Sequence, residues 1–152
     1  MIRTLRYETR FRHQPEELFP FFADAANLER ITPTHLRFRI LTPGPLAMRP
    51  GLRIDYRLRL HGLPLRWRTL ISVWEPPRCF QDTQERGPWA LWEHTHRFEP
   101  LPGGGTLMVD DLRVKPPFGL LGDLVWPLLR HQVDGIFTHR RQVLEAIFPP
   151  AS

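Results

Sequence analysis

The stretch that decides the fold is residues 121–148, "LGDLVWPLLRHQVDGIFTHRRQVLEAIF". Leu121, Leu124, Val125, Leu128, Leu129, Val133, Ile136, Phe137, Val143, Leu144, Ile147 and Phe148 recur at threes and fours. That spacing gathers side chains on one face of an α-helix, so the chain is expected to end in one long amphipathic helix. Pro127 lies inside the pattern, where it removes a backbone hydrogen bond and crowds the preceding turn; a kink is expected near it, with Gly135 a second weak point.

Upstream of this helix the apolar period is two. Strand-like runs are "LRFRIL" at 36–41, "LRIDYRLRL" at 52–60, "LPLRWRTLISVWE" at 63–75, "RCFQDTQE" at 78–85, "ALWEHTHRFEP" at 90–100 and "TLMVDDLRV" at 106–114. Residues 1–12, with Ile2, Leu5, Tyr7 and Phe11 among arginines, add a first strand. "HGLP" around Gly62 and "LPGGG" at 101–105 mark hairpin turns, so neighbouring strands should pair antiparallel. Between strands one and two, Pro15 opens "PEELFPFF", and Asp24 is placed to cap "DAANLERI", which Pro33 brings to an end. A seven-stranded antiparallel sheet and one long helix have one economical arrangement: the sheet curves and its apolar face wraps the helix.

Composition sets the class. A chain of 152 residues is expected to form a single domain spanning 1–152, and 41% hydrophobic with 24% charged residues argues against disorder. The N-terminus "MIRTLRYETRF" lacks the apolar core of a secretory signal, and no apolar run approaches the ~18 residues of a membrane span. A cytoplasmic location is therefore expected. Cys79, the single cysteine, has no intrachain partner and no catalytic context, and reads as structural. The net charge is +5, and every basic residue except Lys115 is arginine. Arg53, Arg57, Arg59, Arg66 and Arg68 alternate with apolar residues, as on a solvated sheet face; the competing reading is a surface for RNA or acidic lipid.

The order of strand, two short helices, six strands and a long C-terminal helix resembles the helix-grip fold of the START and Bet v 1-like (SRPBCC) superfamily, an α+β architecture. "FADAANLERITP" at 22–33, "WEPPRCFQD" at 74–82, "GPWALWEHTHRFEP" at 87–100, "GGGTLMVDD" at 103–111 and "PPFGLLG" at 116–122 carry the resemblance. Together they look like the polyketide cyclase/dehydratase-like and coenzyme Q-binding branch. The resemblance implies a hollow between sheet and helix that holds a small hydrophobic molecule such as a lipid, a quinone or an aromatic polyketide. It implies no prosthetic group and no single reaction, since members of one fold differ in function.

Alternation indicates which residues line that hollow. Tyr56 and Trp67 lie on the apolar faces of strands three and four, Phe80 and Asp82 on one face of strand five, and Asp110 among apolar neighbours on strand seven. On strand six the face carrying Trp92 and Phe98 must also carry His94 and His96. Buried polar groups need partners, so Asp110 with His94 or Asp82 with His96 is the expected pairing. Leu128, Gln132 and Ile136 are the expected helical wall. His131 and His139 read as surface or edge residues.

Four roles fit His94 and His96. They can form a satisfied polar network with no chemistry, or offer hydrogen bonds to a ligand oxygen while Tyr56, Trp67, Phe80 and Trp92 hold its apolar body. With Asp110 they are also candidates for general acid/base catalysis of a cyclisation or dehydration. A His-x-His pair with a carboxylate can also hold a metal, though no metal or cofactor is assigned from the sequence. The expected partner is a small hydrophobic molecule, with no specific nucleic acid; peripheral membrane contact stays open.

Overall fold

In the computed structural model, which describes residues 1–149, seven strands form one sheet. They are β1 (Arg3–Phe11), β2 (Arg39–Ile40), β3 (Arg53–Leu60), β4 (Leu63–Glu75), β5 (Cys79–Arg86), β6 (Leu91–Pro100) and β7 (Thr106–Lys115). Their order is β1-β7-β6-β5-β4-β3-β2, and every neighbour is antiparallel. Helices α1 (Pro15–Phe22) and α2 (Asn27–Ile31) follow β1, and α3 (Leu120–Leu124) and α4 (Trp126–Ile147) follow β7. The curved sheet grips α4, the helix-grip arrangement expected from the sequence. Residues 150–152, included in the expected domain, lie outside the described residues.

Three local expectations need correction. The single C-terminal helix is two, interrupted at Val125 (φ −90°, ψ 6°), because Pro127 falls in the first turn of α4, where its missing N–H is not needed. Gly135 lies within α4 without breaking it. Of "LRFRIL" only Arg39 and Ile40 pair with β3, since Leu36 ends a 3-10 turn and Arg37 turns the chain in the left-handed region at φ 48°. Asp24 does not cap α2; its carboxylate accepts from the N–H of Ala26, the residue just before the helix.

Close backbone packing shapes the entry to α4. A Cβ on Gly122 would lie 1.9 Å from the carbonyl oxygen of Pro117, so only glycine lets α3 fold back on the "KPPFG" segment. In β4 a bulge between Ile71 and Val73 brings Trp74 inward, against Phe19 and Phe80. The outer face carries paired arginines: Arg68 with Asp55 at 2.8 Å and Arg53 with Glu85 at 2.7 Å. Exposed pairs of this kind add little stability each but make the face a solvated one.

The core forms two apolar clusters. One gathers Phe11, Phe19, Phe22, Ile71, Phe80, Phe98, Met108 and Leu144; the other gathers Leu5, Leu112, Val114, Trp126, Val133 and Phe137. Between them β6, β7 and α4 each turn polar for one or two inward positions. Along β7 the run is Met108, Asp110, Leu112; along β6 it is Phe98, His96, His94, Trp92; along α4 it is Leu144, Arg140, Phe137. A buried polar seam thus crosses the core between sheet and α4.

Candidate functional site

Four side chains of this seam come from strand alternation alone. Register sets Asp110 opposite His96 and Asp82 opposite His94. The side chains nevertheless bond diagonally: Nε2 of His94 lies 2.7 Å from Oδ1 of Asp110, and Nε2 of His96 lies 2.7 Å from Oδ2 of Asp82. These are the two pairings expected from the sequence. The diagonal arrangement stacks the two imidazoles, ring centres 3.6 Å apart, and Phe80 stacks on His96 from the other side at 3.9 Å.

Arg140 enters the seam from α4. Its Nη2 lies 3.1 Å from Nδ1 of His96 and 3.8 Å from Oδ1 of Asp110. A guanidinium only donates, so Nδ1 of His96 accepts, and the ring proton is assigned to Nε2, which donates to Asp82. His94 donates Nε2–H to Asp110, leaving its Nδ1 3.7 Å from Asp82.

Charge follows from this geometry. Burial alone would raise the Asp110 carboxyl, but Arg140 and the His94 hydrogen bond outweigh it and hold the group at about 2. Burial, reinforced by His94 and Arg140, pushes His96 well below the ordinary histidine range and keeps it neutral. Burial raises Asp82, with His94 and Arg140 opposing. The seam therefore contains an Arg140–Asp110 charge pair, a neutral imidazole and a second carboxyl with raised proton affinity.

Two flanks adjoin the seam. On the β1 side the Tyr7 hydroxyl donates to Asp134 of α4 at 2.5 Å, and the Tyr7 ring stacks on Phe137 with centres 4.5 Å apart. A cleft of about 220 Å³ opens there, reaching Asp110 and Arg140 past Tyr7, Thr9, Phe137 and Leu144. On the β3–β4 side Tyr56 stacks on Trp67, and Trp92 meets Trp67 edge-on at 5.4 Å. Four buried side-chain nitrogens have no hydrogen-bond partner among the described residues: Nε of Arg3, Nδ1 of His13, Nε1 of Trp67 and Nε of Arg140; Arg140 belongs to the seam and Trp67 to its aromatic flank.

The residues expected to line the hollow divide into groups. Phe80, Asp82, His94, His96 and Asp110 meet in the seam, and Tyr56, Trp67 and Trp92 form the aromatic flank. Gln132 and Ile136 are both half-buried on α4. Leu128 is a correction: it is 73% exposed, because the buried stripe of α4 runs through Trp126, Val133, Phe137, Arg140 and Leu144 and leaves Leu128 pointing outward. His131 is exposed and His139 half-buried.

Arg140, Tyr7 and Asp134 were not among the expected site residues. Arg140 had a legible signal: it follows Phe137 by three and precedes Leu144 by four, inside the apolar stripe. Asp82, His94 and His96 also bring one metal-ligand atom each within 4.8 Å of one another. In this arrangement those atoms are engaged with each other and with Asp110, and the Arg140 cation stands beside them.

A seven-stranded sheet gripping a C-terminal helix, with a polar seam buried between them, is the helix-grip, Bet v 1-like fold. More specifically, the chain belongs to the polyketide cyclase/dehydrase and lipid transport family, whose model matches residues 12–136. No curated protein matches the sequence. Among solved structures, protein CV1439 from Chromobacterium violaceum aligns with a TM-score of 0.72 at 17% identity, covering 98% of this chain and 99% of that one. TTHA0849 from Thermus thermophilus aligns at 0.67 and 20% identity, covering 95% and 99%. The major latex-like protein 151 of Panax ginseng aligns at 0.68 and 11% identity, covering 98% and 99%. At these identities the likeness is one of fold.

Proposed function

We propose that residues 1–152 form one domain that binds a small hydrophobic molecule between the sheet and α4, anchoring an oxygen of that molecule at the polar seam. The observation that carries this reading is that, of the four buried nitrogens without a partner among the described residues, Nε of Arg140 lies in the seam and Nε1 of Trp67 on its aromatic flank. Buried donors are normally satisfied, and a carbonyl, phenol or quinone oxygen supplies the missing acceptor. Tyr56, Trp67, Trp92 and Phe80 supply aromatic surface for an apolar body, and the cleft beside Tyr7 and Phe137 reaches Asp110 and Arg140 of the seam. The family description, which spans cyclisation, dehydration and lipid transport, supports an apolar cargo. We place the protein in the cytoplasm and assign no cofactor; none of its described helices is long and apolar enough to cross a membrane.

A second reading is favoured by one feature, the His94–Asp110 pair. An imidazole oriented by an ionised carboxylate is the arrangement of a general acid/base, here acting on a bound ketone in cyclisation or loss of water. The two readings differ in what His94→Ala does. In a carrier it weakens binding with no conversion in either form; in an enzyme it lowers turnover far more than affinity.

Titration of tryptophan fluorescence with 1-naphthol, an aromatic body with one oxygen, tests the binding reading. Saturable quenching that weakens in Arg140→Gln and in Trp67→Phe is expected. Quenching that is absent, or unchanged in both variants, contradicts an anchor at the seam.

A further inference from the structure

We infer that the segment linking β7 to α4 docks the protein on an anionic lipid surface, a contact independent of the ligand reading above. Phe118, Leu120, Leu121, Leu124 and Leu128 lie within eleven residues, and each is between 62% and 88% exposed. Isolated exposed apolar residues are ordinary, whereas a run of five large ones in one segment marks a surface that meets a partner.

The backbone builds this display. Phe118 at φ 63° and Gly119 at φ 55° turn the chain outward, and a bulky side chain rarely adopts such a φ. Gly122, pressed against Pro117, and Trp126, buried in the core, fix the inner side of the same segment. The exposed leucines are thus held outward by a firmly seated turn.

Charge selects the occupant. From Lys115 to His131 the sequence contains one carboxylate, Asp123. The Met1 amino group at 3.2 Å and Arg3 at 3.6 Å both neutralise it. Exposed Lys115 precedes the apolar run, and exposed Arg130, which also meets Asp134 at 3.7 Å, follows it. Apolar residues rimmed by cations suit the boundary of an acidic bilayer, where leucine and phenylalanine enter the acyl region and basic side chains meet phosphates. A second copy seated on this face by a two-fold axis would instead bring two basic rims together. None of the described helices can span a bilayer, so the segment lies on the surface.

The test is co-sedimentation of the full chain with phosphatidylcholine vesicles, with and without phosphatidylglycerol, using wild type, the double variant Leu121→Glu/Leu124→Glu, and Phe118→Ser. All three positions are exposed, so thermal unfolding should be unchanged. Expected is binding to the phosphatidylglycerol vesicles, roughly ten-fold or more weaker in the double variant, and weaker with added salt. Phe118→Ser, outside any helix, should also bind less. Wild-type protein left in the supernatant with both vesicles overturns the proposal, as do variants that bind like wild type. A wild-type dimer in light scattering that the double variant dissolves would overturn it too, assigning the face to a second copy instead.

Discussion

Nη2 of Arg140 lies 3.1 Å from Nδ1 of His96, and this contact ties α4 to the middle of the sheet through a buried polar layer. It also fixes the protonation of that layer: an imidazole nitrogen that accepts from arginine cannot itself carry a proton. The seam joins β5, β6 and β7 to the helix and leaves Nε of Arg140 without a partner among the described residues.

Removing the cation should be costly. Arg140→Met leaves the Asp110 carboxylate buried without its counter-charge, and a loss of about 3 to 5 kcal/mol is expected in denaturant unfolding. Adding Asp110→Asn to that variant should recover part of the loss. If the two substitutions were simply additive, the pair would not be coupled.

Acid should destabilise the protein in two stages. His96 has a lowered affinity for protons in the folded state, so as pH falls below about 6.5 the unfolded chain takes up a proton that the native one refuses, and stability drops. His96→Gln should remove that slope. Asp110, held at about 2 against an ordinary 3.8, contributes stability above pH 3.8 that is lost as pH falls from 3.8 toward 2, about 2 kcal/mol in all. Asp82 is raised and works in the opposite direction, gaining its proton earlier in the folded state than in the unfolded. Unfolding free energies of wild type and His96→Gln across this range test both stages.

The same glycine-to-alanine change should have opposite signs at two positions. At Gly122 the new methyl meets the Pro117 carbonyl at 1.9 Å, and a loss of at least about 2 kcal/mol is expected. At Gly135, an interior position of α4 with nothing within 4 Å of the added methyl, a gain of about 0.5 to 1 kcal/mol is expected. Melting temperatures of the two variants decide it.

Deleting the Tyr7 hydroxyl tests the β1 flank. Tyr7→Phe keeps the stack on Phe137 but leaves Asp134 with Arg130 alone, so a modest loss of about 1 kcal/mol is expected. A much larger loss would mean that the hydroxyl helps to hold α4 against the sheet.

The strands and the inward histidines are legible in the sequence because β6 alternates cleanly: Glu93, Thr95 and Arg97 on one side leave Trp92, His94, His96 and Phe98 the other. That these histidines meet Asp82 and Asp110 follows once the residues share a face, but which meets which does not: register sets Asp110 opposite His96, and the bonds run diagonally. Trp74 is harder, because a bulge shifts the parity of β4 within one residue. Arg140 is hidden because an apolar stripe is read by its leucines and phenylalanines, and a single charge within it is easily assigned to solvent. Leu128 misleads in the reverse direction: the break at Val125 resets the helical phase, so leucines that match one long helix face outward when there are two. Only the chain's turn at Phe118 and Gly119 decides which way that segment points, and no periodicity encodes it.

The measurement that tests the central claim most directly is native mass spectrometry of the protein purified from its own host, followed by extraction of whatever it retains. A stoichiometric quinone, lipid or aromatic compound carrying at least one acceptor oxygen, and released by Arg140→Gln, is the predicted result. A protein that emerges bare, and whose unfolding temperature no member of a panel of apolar compounds shifts, would contradict it and leave the seam as a purely structural layer.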